Sequence, residues 1–94
     1  MPKISETATF ILTLLNNIDE LVVKSFDKRS ALEVMQALRI YAKNKDFPLN
    51  EERIDNFEAV LLDARPYTIS MIIKDIADDV MTAEMKNKKN KLSS

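Results

Sequence analysis

The chain has 94 residues, of which 46% are hydrophobic and 31% charged, with a formal net charge of −1. It contains no Cys, no His and no Gly. These absences exclude disulfides, thiolate metal sites, histidine acid–base chemistry and the glycine-rich loops that cradle phosphates.

The length suits one domain with a single modest core. With no Gly, and Pro only at positions 2, 48 and 66, the chain reads as mostly helix, in four amphipathic segments. The first is expected from about Glu6 to Val23. Ser5 suits an N-cap, and Glu6 favours the positive end of the helix dipole. Ile11, Leu14, Leu15, Ile18, Leu21 and Val22 recur at three- and four-residue spacing, and Phe10 broadens the stripe. The apolar run Phe10 to Leu15 is short, interrupted by Thr13, and follows Glu6 rather than a basic stretch. It is read as core helix, not as a signal peptide or membrane span, and the default expectation for location is the cytoplasm.

The second segment is expected from about Ala31 to Lys43. Ser30-Ala-Leu-Glu33 fits a capping box, and Ala31, Val34, Met35, Leu38, Tyr41 and Ala42 form the inner face. The link "NKDFPLN" breaks the pattern, because Pro48 disfavours helix at Phe47. The third segment starts after Asn50 as N-cap, with Glu51 and Glu52 in its first turn and Ile54, Phe57, Val60 and Leu61 as its stripe. It should stop near Ala64, because Arg65 precedes Pro66.

Pro66 then suits the first turn of a fourth helix reaching about Met85, with Ile69, Ile72, Ile73, Ile76 and Val80 inward. The β-branched run "YTISMII" could also be a strand, but a lone strand has no partner to pair with. The expected fold is all-α. Residues 1–85 form an antiparallel four-helix bundle, and 86–94 form a short disordered basic tail.

The charge is unevenly placed. Ten of the fourteen basic residues and all fifteen acidic ones precede Lys86, a balance of −5 for the body. The tail carries Lys86, Lys88, Lys89 and Lys91. An acidic body argues against nucleic acid as the main partner, and four lysines support at most peripheral contact with an anionic membrane surface.

Few residues offer chemistry. Asp75, Asp78 and Asp79, with Glu84 a little beyond, could place carboxylates on one helix face for a hard cation. A solvated acidic face, with Lys74 and Asp78 as an i,i+4 pair, is the favoured account of these residues, so no metal is assigned. No nucleophile sits in a recognisable motif, so neither catalytic residues nor a cofactor is expected and the protein is read as non-enzymatic. Met35, Met71, Met81 and Met85 fall on helices and suit core filling. Met81 and Met85 lie off the main stripe and are the better candidates for an exposed contact. The corner "LLDARPYTIS" stands out. Pro66 has a sufficient structural reason, Tyr67 favours a position with one end wet, and Arg65 has no structural need.

The stretch "DKRSALEVMQAL", with Arg29, Ala31, Leu32, Ala37 and Leu38, resembles the second helix of bacteriocin immunity proteins from lactic acid bacteria, the enterocin A and lactococcin A immunity group. "FEAVLLDARPYTIS" is similar to that group's following helix, which runs through a proline into another apolar stretch. The resemblance spans roughly Leu12 to Ile76. It implies a four-helix bundle that protects the producing cell from a class II bacteriocin by contact, from inside the cell, with a membrane permease that has bound the bacteriocin. Specificity would lie in the C-terminal half. The acidic body departs from the many basic members of that group and puts general membrane attraction in doubt.

Two other classes stay open. One is a phage or mobile-element regulator that binds and inhibits a host protein, since "FPLNEERIDNF" resembles phage helicase-loader inhibitors. The other is a helical nucleic-acid binder, which the missing basic recognition helix disfavours. On the leading reading the protein acts by contact with a protein partner, through Arg65, Tyr67, Met81, Met85, Lys86, Lys88, Lys89 and Lys91.

Overall fold

A computed structural model describes the backbone of residues 4–93 and the side chains of residues 4–86. The described residues hold four helices and no strand: α1 (Glu6–Val23), α2 (Lys28–Asn44), α3 (Glu51–Val60) and α4 (Pro66–Ser93). The run "YTISMII" is helical. α4 continues past Met85, where the sequence pattern had suggested an end. No Gly or Pro follows Pro66 to break it, and its lysines are good helix formers. Over the stretch expected to be a disordered tail, the backbone is helical as far as Ser93, and the side chains from residue 87 onward lie outside the described residues.

α1 has the expected limits. Ser5 accepts a hydrogen bond from the Ala8 amide, satisfying one of the orphan donors of the first turn. α2 starts earlier than expected and on a different cap. Asp27, not Ser30, is the N-cap. It accepts from the Ser30 amide at 3.0 Å and from the Ser30 hydroxyl at 2.7 Å. Ser30 therefore sits inside the first turn, and the expected Ser30–Glu33 box does not form. Asp and Ser are comparable caps. The left-handed Phe26 (φ 52°) settles the choice by turning the chain just before Asp27.

α2 ends at Asn44 with Lys45 as C-cap, and Asp46 just beyond is also left-handed (φ 54°), with Phe47 N–H reaching the Ala42 carbonyl at 2.8 Å and Asp46 N–H the Lys43 carbonyl at 3.1 Å. This pairing of the last carbonyls usually employs Gly, and here Asp46 takes its place. It also folds Phe47 back over Ala42, so this link residue joins the core. α3 has Asn50 as its cap, as expected, and ends at Val60 with Leu61 as C-cap.

α1 packs against α2 and α4, and α3 packs against α4. Helix directions follow from the cross-links. Ser5 meets Glu84 at one end of the α1–α4 pair and Asp19 meets Ser70 at the other, so these helices run antiparallel. On α2, Arg39 closes the ring against α3. It reaches Glu51 at 2.7 Å, Asp55 at 3.1 Å and Glu58 at 3.3 Å. Burial acts to lower the Arg39 pKa, but contacts with Glu58 and Glu51 outweigh it and hold the guanidinium above its ordinary value.

The core gathers Ile11, Leu15 and Ile18 of α1, Met35 and Leu38 of α2, Ile54 and Phe57 of α3, and Ile69, Ile76 and Val80 of α4. Phe10 does not join it. Its ring packs on Tyr41 at a centroid distance of 4.6 Å on the outside of the α1–α2 pair.

Glu84 is the one charged side chain buried among the described residues. The Ser5 amide donates to it at 2.7 Å, and the Ser5 hydroxyl donates to the same carboxylate oxygen. Ser5 thus caps α1 and bolts it to α4 with one side chain. Glu84→Ala is expected to lower the unfolding free energy by about 2–3 kcal/mol, read from urea denaturation. The hydrogen bond from the Ser30 hydroxyl, then that from its amide, holds the Asp27 carboxyl below the usual aspartate range. A depressed folded-state pKa stabilises above the unfolded value and is lost as pH falls through the folded one. The stability difference between wild type and Asp27→Ala should therefore be full at neutral pH and shrink on acidification below the ordinary aspartate range.

Candidate functional site

The corner between α3 and α4 is held from outside itself. Lys28, in the first turn of α2, donates its ammonium to the Leu62 carbonyl at 3.0 Å and the Ala64 carbonyl at 2.8 Å. A cation is thereby placed on carbonyls at the negative end of α3, where the dipole favours it. The Arg65 carbonyl accepts from the Ile69 amide at 3.1 Å, starting α4. Leu61 and Ile69, on either side, are fully buried. The backbone of the corner is pinned at both ends, and Leu62, Arg65 and Tyr67 between them are left outside.

Arg65 and Tyr67 both point to solvent. Tyr67 is 75% exposed and Leu62 67%, and no ion pair holds Arg65 among the described residues. A third large apolar group shares this end of the molecule. Phe26, in the α1–α2 turn two residues before the Lys28 that grips the corner, is 74% exposed. Its left-handed backbone costs about 1–2 kcal/mol for a residue with a Cβ. Phe26 was not singled out from sequence, because its exposure follows from that backbone conformation. The only local hint is an aromatic in a polar turn, "KSFDK".

The other expected contact residues are distributed differently. Met85 and Lys86 are exposed but lie about 27 Å along α4 from Tyr67, at 1.5 Å per residue. Met81 is half-buried. Lys88, Lys89 and Lys91 have side chains outside the described residues. Among the described residues, the positions named from sequence therefore do not form one patch on a single chain. Arg65 and Tyr67 stand at one end of α4, and Met85 and Lys86 stand towards the other.

Known proteins add nothing to this geometry: no family model, no curated protein and no solved structure matches the chain.

The acidic residues of α4 separate as well. Glu84 is buried on Ser5, Asp79 faces Arg53 of α3 at 3.3 Å, and Asp75 and Asp78 stay exposed. The expected single acidic face is therefore split, and no cluster of three potential metal ligands exists among the described residues. The buried oxygens Asp79 Oδ2 and Glu58 Oε1 meet their arginines by charge, without aligned hydrogen bonds. No helix of the described residues is long and apolar enough to cross a membrane.

What the corner can do follows from its groups. Tyr, Phe and Arg held outside a rigid backbone anchor protein contacts at small entropic cost. If these side chains serve contact rather than packing, Phe26→Ala and Tyr67→Ala should each change the unfolding free energy by under about 0.5 kcal/mol. Phe57→Ala should cost about 3–5 kcal/mol by the same denaturant measurement.

Proposed function

We propose that this protein is a non-enzymatic binding module whose contact surface is the α3–α4 corner, and that its task is bacteriocin immunity. On this reading it sits inside the producing cell, at the inner face of the membrane. There it engages a membrane permease when a class II bacteriocin has bound that permease. The observation that carries the contact role is the outward pairing of Arg65 and Tyr67 on a backbone fixed by Lys28. Neither side chain packs into the core of its own chain, and exposed large apolar groups beside an arginine are the composition of an interface centre. The immunity role rests on the resemblance of "DKRSALEVMQAL" and "FEAVLLDARPYTIS" to that group.

Expression in a bacteriocin-sensitive lactic acid bacterium should raise the tolerated bacteriocin concentration at least about tenfold. The Arg65→Ala/Tyr67→Ala variant should lose most of that protection at equal protein abundance, as removal of interface anchors does. Unchanged sensitivity would sink the immunity role. Growth arrest without bacteriocin would instead favour an inhibitor of a host protein.

A further inference from the structure

α4 carries a second stripe that the core does not use. Tyr67, Met71, Lys74, Asp78, Met81 and Met85 alternate at four- and three-residue spacing, the interval of a coiled-coil seam. At 100° per residue this stripe lies opposite the buried Ile76. Its flanks are occupied by the rest of the bundle, with Ser70 bonded to Asp19 of α1 on one side and Asp79 facing Arg53 of α3 on the other. The stripe itself faces solvent. Met71 is 53% and Met85 67% exposed, Lys74 and Asp78 are exposed, and Met81 is half-buried.

The order of residues in this stripe is self-complementary. Reflected about position 76, Lys74 exchanges with Asp78, Met71 with Met81, and Tyr67 with Met85. A second copy of α4 laid antiparallel on the first therefore sets each lysine against the other copy's aspartate, methionine against methionine, and tyrosine against methionine. A parallel copy in register would instead oppose Lys74 to Lys74 and Asp78 to Asp78. The charges at the centre thus select one orientation, as polar groups in a helix seam do, and the isologous arrangement closes at two copies.

We infer that the chain forms an antiparallel homodimer through the outer face of α4. The occupant of this face is a second copy because the stripe matches its own reverse in both charge and apolar character. One consequence concerns the contact surface and rests on the function proposed above. Arg65 and Tyr67 of one copy come to lie beside Met85 and Lys86 of the other, so residues about 27 Å apart on one helix become neighbours at each end of the pair. The pairing itself does not depend on that function.

The test is sedimentation velocity on the full chain across roughly 5–500 µM, where a seam of this modest length should show concentration-dependent association. Wild type should move from monomer to dimer and no further. Lys74→Asp and Asp78→Lys should each stay monomeric, with unchanged helical circular dichroism because both positions are exposed. Mixed together, these two variants should associate with each other. The Lys74→Asp/Asp78→Lys double variant should recover self-association, because antiparallel pairing only exchanges the partners. A wild type that stays monomeric throughout would overturn the inference, as would a dimer indifferent to Lys74→Asp or a double variant that fails to recover. Bacteriocin tolerance is read separately, and neither outcome there alters the sedimentation result.

Discussion

The contact between Ser5 and Glu84 sets the register on which the surface depends. A carboxylate this deeply buried is tolerable only because the amide and hydroxyl of a helix cap supply hydrogen bonds to it. At the far end of the same pair, the Ser70 hydroxyl donates to Asp19. Fourteen residues separate Ser5 from Asp19, and fourteen separate Ser70 from Glu84. The two bonds therefore describe one register without slippage, and they turn Ile69, Ile73, Ile76 and Val80 to the core. Everything on the outside of α4 follows from that rotation.

A different device holds α3. It is the shortest helix and offers only Ile54 and Phe57 as fully buried side chains within its span. Arg39 compensates by gathering three carboxylates from its outer face, while Lys28 holds its C-terminal end. Both basic residues sit on α2, so α2 grips α3 largely by charge where α1 and α4 pack by apolar contact. Such partly exposed pairs contribute modestly one by one, about 0.2–1 kcal/mol each. Their value here is positional, because they fix the angle at which the corner presents its side chains.

Local signals in the sequence carried the helices well. The start of α1 at Ser5, the cap at Asn50 and the helix break at Arg65–Pro66 each depend on neighbours within four residues. The apolar spacing identified almost all of the core. What escaped was non-local or conformational. Two residues able to cap α2 lie three positions apart, and only the backbone at Phe26 decides between Asp27 and Ser30. Phe47 read as a linker residue because its burial comes from the chain folding back over Ala42. Glu84 looked like one more surface acid on α4, since its partner is 79 positions away. The outward placement of Arg65 and Tyr67 was a question the sequence could frame, and the pinned corner answers it. Their distance from Met85 and Lys86 emerged only with the straight run of α4 between them.

The two left-handed turns at Phe26 and Asp46 have a consequence for the chain before it folds. Most proteins place glycine at such points and accept the conformational freedom it gives the unfolded state. Here that freedom is absent along the whole length, since the sequence has no glycine at all. The strain held at the two turns, on the order of 1–2 kcal/mol at each, is set against an unfolded ensemble with fewer backbone states, an effect of about 0.4–1 kcal/mol per glycine avoided. Part of what keeps this small bundle folded therefore resides in no contact within it, but in the narrower range of shapes open to the chain when those contacts are gone.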